Sequence, residues 1–222
     1  MKKLLKKVFV GSGEKIRKIR FGIAKGIIMQ IDADSKSQRI LGLDEKEIQA
    51  PFKTYSRQSD YFFDIGSSDG YYSLIYKKLN PAGKIYAFEV KEDLTQEMQS
   101  NFSRNNFNYG DVTLIKKFVT DKNDEKHVTL DSVFEQKGQT LFFKIDVDGG
   151  EMDVLNGLKT VLTNNICLFV IETHTPELEK DCIAFLQNAG YNTTIIDNAS
   201  WRSIIPENRP IAHNRWFTAQ KK

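Results

Sequence analysis

Asp64-Ile-Gly-Ser-Ser-Asp-Gly70 stands between an apolar run, Tyr61-Phe-Phe-Asp-Ile65, and a stretch whose residues Tyr71, Leu74, Ile75 and Leu79 recur at helical spacing. A strand that turns through glycines into a helix is where an open α/β sheet binds its ligand, beyond the carboxyl ends of its strands. Gly66 and Gly70 let the backbone pass close to a ligand, and the free N–H groups that open the helix suit a carboxylate. Gly66, Ser67, Ser68, Gly70 and Tyr71 are therefore assigned to the ligand loop, and Asp64 to an ammonium group. The plain alternative is a tight turn in which nearby amides satisfy Asp64.

Outward from this turn, strand-like and helix-like segments alternate, the pattern of a parallel sheet covered on both faces. Strands are expected at 61–65, 84–90, 112–118, 141–147, 166–173, 191–196 and 215–219. Between them lie helical stripes: Leu94, Met98 and Phe102; a short helix around Leu130 to Phe134 opened by Asp131; Met152, Leu155, Leu158 and Leu162 behind a capping-box spacing of Asp148 and Glu151; and Leu178 to Ala189, stopped by Gly190. The last two strands have no helix between them, so an antiparallel pair closes the sheet at the C-terminus. Before residue 59 the pattern changes. Phe21, Ile23, Ile27, Met29 and Ile31 come close to alternation around two glycines, which suggests a hairpin, followed by a helical stretch near Asp44 to Ala50. The expected organisation is a small N-terminal cap, residues 1–58, and one catalytic domain, residues 59–222.

Glu89 closes the second strand, 23 residues after Gly66, where its two carboxylate oxygens suit a ribose diol. An adenosine-bearing ligand is implied. A dinucleotide site wants G-x-G-x-x-G, whose second and third glycines fall here on Ser68 and Tyr71, so a pyrophosphate would meet side chains where backbone should approach. No Gly-Lys-Ser/Thr follows the loop, so phosphoryl transfer lacks its usual lysine.

The successive blocks Asp64-Ile-Gly-Ser-Ser-Asp-Gly-Tyr-Tyr-Ser73, Ala87-Phe-Glu-Val90, Val128-Thr-Leu-Asp131, Lys144-Ile-Asp-Val-Asp-Gly-Gly-Glu151, Val154-Leu-Asn-Gly157 and Ile171-Glu-Thr-His174 resemble, in order and spacing, those of the FkbM-type methyltransferases. The resemblance runs over about residues 60–196. It implies an α/β fold with a Rossmann-like class I methyltransferase sheet, S-adenosyl-L-methionine as cofactor, and methyl transfer. Ser67-Ser68 stand where that family usually has Ala-Asn, Val90 where it has Pro, and Asp148 where it has Glu. The first two touch the cofactor loop and bear on affinity; the third shortens a carboxylate by one methylene.

Asp146 ends the fourth strand, while Glu172 and His174 end the fifth, so three polar side chains are expected on one rim beside the methyl group. They are the candidate catalytic residues, Asp146 also bordering the cofactor. His174 suits a general base, because imidazole titrates near neutrality and a deprotonated alcohol attacks a sulfonium methyl more readily. The plain alternative is a strand-end histidine hydrogen-bonded at the surface. Asp146, Asp148, Glu172 and His174 also have the composition of a divalent-ion site, but strand-end carboxylates more often cap helices, and no residue is assigned as a metal ligand. Glu151 is read as part of the cap and Lys144 as neutralising the acidic cluster. Methyltransferases acting on base or amide nitrogens often carry Asn/Asp-Pro-Pro-Tyr after the fourth strand; Asp146-Val-Asp-Gly149 offers neither the prolines nor the stacking face. The expected reaction is therefore O-methylation of a sugar, glycolipid or secondary metabolite. An NAD(P)-dependent oxidoreductase and a catalytically silent docking module are the alternatives.

Composition fits these expectations. Hydrophobic residues make up 40% of 222, enough for one real core and no second catalytic domain. Cys167 lies inside the apolar run Ile166 to Ile171 and Cys182 has no CxxC partner, so both read as buried thiols of a reducing compartment. Apolar runs are too short for a spanning helix or signal peptide, and the expected location is the cytoplasm. Residues 1–25 carry nine Lys or Arg and one acid, which makes this end about +8 within a total of +3. Lys2, Lys3, Lys6 and Lys7 alternate with Leu4, Leu5, Val8 and Phe9 as in a short amphipathic helix, either solvated or resting on an anionic membrane or enzyme complex. The expected partner is a small-molecule or glycan acceptor; nucleic acid is not expected, because the basic pattern does not continue into the body of the chain.

Overall fold

The computed structural model describes residues 10–197, 199, 202 and 213–221; the basic stretch Lys2 to Phe9 lies outside the described residues. The alternating apolar residues before position 33 form the expected hairpin, β1 (Glu14–Lys18) with β2 (Ile28–Asp32), in antiparallel register from Glu14↔Asp32 to Lys18↔Ile28. After α1 (Ser37–Ile40) and a 3-10 turn (Lys46–Ile48), the helical stretch read near Asp44 to Ala50 continues as α2 (Gln49–Gln58), because Phe52, Tyr55 and Ser56 share one buried face.

The alternating segments that follow are β3 (Tyr61–Ile65), α3 (Tyr71–Leu79), β4 (Lys84–Phe88), α4 (Glu92–Arg104) and β5 (Val112–Ile115). Then come β6 (Phe118–Val119), β7 (His127–Val128), α5 (Leu130–Val133), β8 (Thr140–Ile145), α6 (Glu151–Asn156) and α7 (Lys159–Asn164). The chain closes with β9 (Ile166–Thr173), α8 (Pro176–Asn188), β10 (Tyr191–Ile196) and β11 (Arg215–Lys221). Seven strands make one sheet in the order β10-β11-β9-β8-β3-β4-β5. β11 runs antiparallel to both neighbours, and the other pairings are parallel. The closing antiparallel pair is thus present, but β10 itself runs with the parallel strands, since α8 carries the chain back across the sheet. Only β11 is reversed, and it slots between β10 and β9.

Four local expectations are corrected. The third strand stops at Ile115 instead of Phe118, because Lys116 and Lys117 turn to solvent, where Lys116 pairs with Glu92 at 2.5 Å, and β6 joins β7 in a separate small sheet. Thr129, not Asp131, caps α5, its hydroxyl accepting from Ser132 N; the Asp131 carboxylate instead receives Thr160 N and Val161 N at the start of α7. The Met152 to Leu162 stripe is two helices broken at Gly157, where a Cβ would lie 2.1 Å from the Thr120 carbonyl oxygen. Gly150 rather than Asp148 precedes α6 without any side-chain cap, so the capping box does not form.

Strand alternation sends odd and even residues to opposite faces. Phe62, Phe142, Leu168 and Val170 pack with the N-terminal hairpin, α2, α3 and α4; Phe63, Phe143, Phe169 and Ile171 pack with α5 to α8. Phe63, Phe143 and Phe169 stack across three strands at centroid distances of 4.6 and 5.0 Å. Among the described residues no helix is long and apolar enough to cross a membrane. Phe143→Ala is expected to cost about 3–5 kcal/mol, read as a lower urea midpoint at unchanged slope.

Candidate active site at the strand carboxyl ends

The turn after β3 is built by backbone geometry. Gly66 has φ +80°, and a Cβ there would lie 2.0 Å from the Asp146 carbonyl oxygen, so the ligand loop and the end of β8 are in direct contact. Gly66 N and Ser67 N both donate to the Phe88 carbonyl, which ties the loop to β4. Ser68 sits in the left-handed region at φ +49°, an unusual place for a residue with a side chain. Its N–H donates to Glu89 Oε2 at 3.1 Å, while Lys91 N donates to Glu89 Oε1 at 2.8 Å. Gly70, at φ +80°, precedes α3 where a Cβ would meet Met98 Cγ at 2.5 Å. Gly66, Ser67, Ser68, Gly70 and Glu89 are therefore brought together as the sequence led us to expect.

Asp64 and Tyr71 are turned elsewhere. Asp64 is fully buried, accepts from Ser73 Oγ at 2.6 Å, and faces Lys144, its neighbour in register on β8. Its Oδ1 makes no hydrogen bond among the described residues. Tyr71 is buried beneath the Arg39 guanidinium, 4.3 Å from the ring centre. Arg39 also donates to both oxygens of Asp69, and Lys36 adds a further pair at 2.9 Å. Burial alone would raise the Asp69 carboxyl, but Arg39 and Lys36 outweigh it and hold it below the ordinary range. The N-terminal segment is thus clamped onto the ligand loop through a residue not singled out in the sequence, although Asp69 lies inside the quoted motif.

Even-numbered positions of β8 and β9 carry the rest. Lys144, 3% exposed, donates to Asp146 Oδ2 at 2.8 Å and lies 5.1 Å from the Tyr72 ring centre. Burial opposes its charge, yet Asp146, Asp64 and Glu45 more than offset that and keep its pKa raised. A lysine inside the apolar strand Leu141 to Ile145 was itself a signal of this pairing. Beyond it, Asp146, Glu172 and His174 converge as expected: His174 Nε2 lies 3.8 Å from Asp146 Oδ1, 3.8 Å from Glu172 Oε2 and 3.6 Å from Asp148 Oδ1. Glu151 is not part of a helix cap. It is fully buried and holds His174 Nδ1 at 2.5 Å, which leaves Nε2 facing the carboxylates. Burial pulls the His174 pKa down, but the Glu151 bond and the charges of Glu151, Asp146 and Asp148 prevail and raise it. A cavity of about 700 Å³ lined by Arg17, Lys18, Arg20 and Lys25 opens on the N-terminal hairpin, away from this convergence of polar side chains.

The family model of the methyltransferase FkbM domain matches residues 113–193, a span that holds Asp146, Glu151, Glu172 and His174. Solved structures share the fold. An S-adenosylmethionine-dependent O-methyltransferase from Thermotoga maritima is 17% identical with a TM-score of 0.54, over 80% of this chain and 65% of that chain, just under two thirds of its length. A Clostridium thermocellum protein described as an rRNA methylase is 13% identical, with a TM-score of 0.55 over 81% of this chain and 94% of that one. An O-methyltransferase of tomaymycin synthesis from Streptomyces achromogenes, solved with S-adenosylmethionine, is 13% identical, with a TM-score of 0.53 over 78% and 81%. No curated protein matches the sequence. Residues 113–193 thus match a methyltransferase domain of FkbM type, set on a sheet that shares its fold with solved S-adenosylmethionine-dependent methyltransferases.

Burial pushes the Asp64 carboxyl up to about 6 from an ordinary 3.8, against the pull of Lys144 and Ser73. Between those values the folded chain keeps a proton that the unfolded chain has released, so this group favours folding most in acid and the advantage is lost as pH rises through about 6. Asp64→Asn is expected to gain stability relative to the unmodified chain between about pH 4.5 and about pH 7.5, measured by urea denaturation of both proteins.

Proposed function

We propose that this methyltransferase modifies a hydroxyl of a sugar, glycolipid or secondary metabolite. The observation that carries the reading is the contact of Gly66 with the Asp146 carbonyl, which sets the ligand loop directly against the Asp146, Glu172 and His174 rim. Bound S-adenosyl-L-methionine supplies a methyl group already activated on a sulfonium. The half-buried Glu89 carboxylate, already oriented by two backbone amides, suits the ribose hydroxyls, and the loop from Gly66 to Gly70 suits the amino-acid end. Ser68 and Tyr71 stand where a dinucleotide loop needs glycines for the pyrophosphate to approach the backbone, which argues against the dinucleotide alternative.

On the acceptor side, a rim of carboxylates and one imidazole receives hydrogen bonds from hydroxyls. That supports an oxygen acceptor, as do the O-methyltransferase relatives of the fold. The residues contribute by alignment: the rim holds the hydroxyl oxygen in line with the methyl group while its proton passes out to solvent, and positioning of this kind dominates when the donor is already activated.

Calorimetric titration with S-adenosylhomocysteine is expected to show one site, weakened at least about tenfold in Glu89→Ala through loss of charge-assisted hydrogen bonds. Incubation with S-adenosyl-L-methionine and a panel of glycans and hydroxylated metabolites is expected to give a product heavier by one methylene. Asp146→Ala should abolish that product while the cofactor still binds. Methylation of an RNA or an amide nitrogen instead, or undiminished product from Asp146→Ala, would overturn the reading.

A further inference from the structure

We propose that His174, Asp146 and Glu172 form a site for a divalent cation of the Mn²⁺ or Zn²⁺ type, with Asp148 at its mouth and Glu151 as the positioning residue behind it. The His174 side chain is 6% exposed, and its Nε2 makes no hydrogen bond among the described residues: the carboxylate oxygens of Asp148, Asp146 and Glu172 stand 3.6 to 3.8 Å away. One ligand atom from each of the three residues lies within 4.8 Å of the others. An ion bound at about 2.0–2.2 Å holds neighbouring ligand atoms roughly 3–3.6 Å apart, so the His174 Nε2 contacts close by some tenths of an ångström and the widest pair by about an ångström or more.

The donor set selects the ion. One imidazole among carboxylates suits manganese or zinc, whereas calcium takes six to eight oxygens and needs no nitrogen. Glu151 supplies what a ligating histidine requires on its far side: a fully buried carboxylate on Nδ1 at 2.5 Å, which fixes the ring and aims Nε2 into the cluster. Charge points the same way. Four carboxylates, those of Asp146, Asp148, Glu151 and Glu172, converge on one imidazole, and Lys144 pairs with Asp146 on the oxygen turned away from it. Entry is open, since the Asp148 side chain is 90% exposed and that of Asp146 21%.

The ion's role, though not its site, rests on the proposed methylation of a hydroxyl. Bound to the acceptor oxygen, a divalent cation lowers the hydroxyl pKa. The O–H bond breaks, the oxygen keeps the electron pair, and the proton leaves to solvent past Asp148. His174 then serves as a ligand and not as the general base.

The test is titration of the chelator-treated, dialysed full chain with Mn²⁺ alone, followed by electron paramagnetic resonance and calorimetry, with Zn²⁺, Mg²⁺ and Ca²⁺ as parallel arms. One Mn²⁺ or Zn²⁺ per chain is expected, bound more tightly than Ca²⁺. His174→Gln should lose the site, and Glu151→Gln should weaken it about 10–100-fold at an unchanged melting temperature. Cofactor affinity is read separately by titrating S-adenosylhomocysteine after chelation. A chain that binds S-adenosylhomocysteine but no Mn²⁺ or Zn²⁺ at millimolar concentration overturns the cation site alone, as does tighter binding of Ca²⁺. Undiminished Mn²⁺ binding in a folded His174→Gln overturns it too. A chain that binds the metal but not S-adenosylhomocysteine leaves the cation site standing and overturns the cofactor reading.

Discussion

A lysine buried between two aspartates on adjacent strands joins the halves of the site. Lys144 is opposite Asp64 in the parallel register of β3 and β8, and two positions further along its own strand stands Asp146. An ammonium enclosed there without partners would cost several kcal/mol, and so would either carboxylate. Together they hold the loop after β3 and the end of β8 in one electrostatic unit. Gly66 makes that unit tight, because the absence of a side chain lets the loop touch the Asp146 backbone.

The same logic of buried charge met by buried charge recurs around this unit. Arg39 and Lys36 reach from the N-terminal segment to Asp69, so that segment shapes the loop from outside the sheet. Glu151, at the start of α6, reaches back to His174 at the end of β9. Arg202 joins Glu47 with both side chains nearly buried, linking residues near the end of β10 to the turn before α2. Each link joins elements distant in sequence at the carboxyl ends of the parallel strands, where the backbone leaves the ladder and polar groups need new partners.

Much of the fold was legible because strands and helices write their periods into the chain. Phe62 and Asp64 alternate with Phe63, Leu74 and Ile75 recur at the helical interval, and Gly66 and Gly70 mark the turn between them. The misreadings share one cause. Asp131 and Asp148 carry good capping chemistry, but Asp131 falls inside the first turn of α5 with Thr129 at the cap position, and Gly150 leaves Asp148 in solvent. Spacing names the residues able to cap a helix; only the path of the chain decides which one does.

The site divides in the same way. The sequence by itself determined the strand-turn-helix at Asp64 to Gly70, the acid at Glu89, and the polar residues at the ends of two strands, since each follows from local spacing and residue chemistry. Tertiary structure alone decided that Asp64 turns inward to Lys144, that Glu151 serves His174, and that Asp69 is held by the N-terminal segment. Those contacts span 23 to 80 residues of chain. The physical reason is that a buried charge seeks whichever opposite charge or donor the packing brings within hydrogen-bond reach, and no local pattern encodes where in the chain that partner lies.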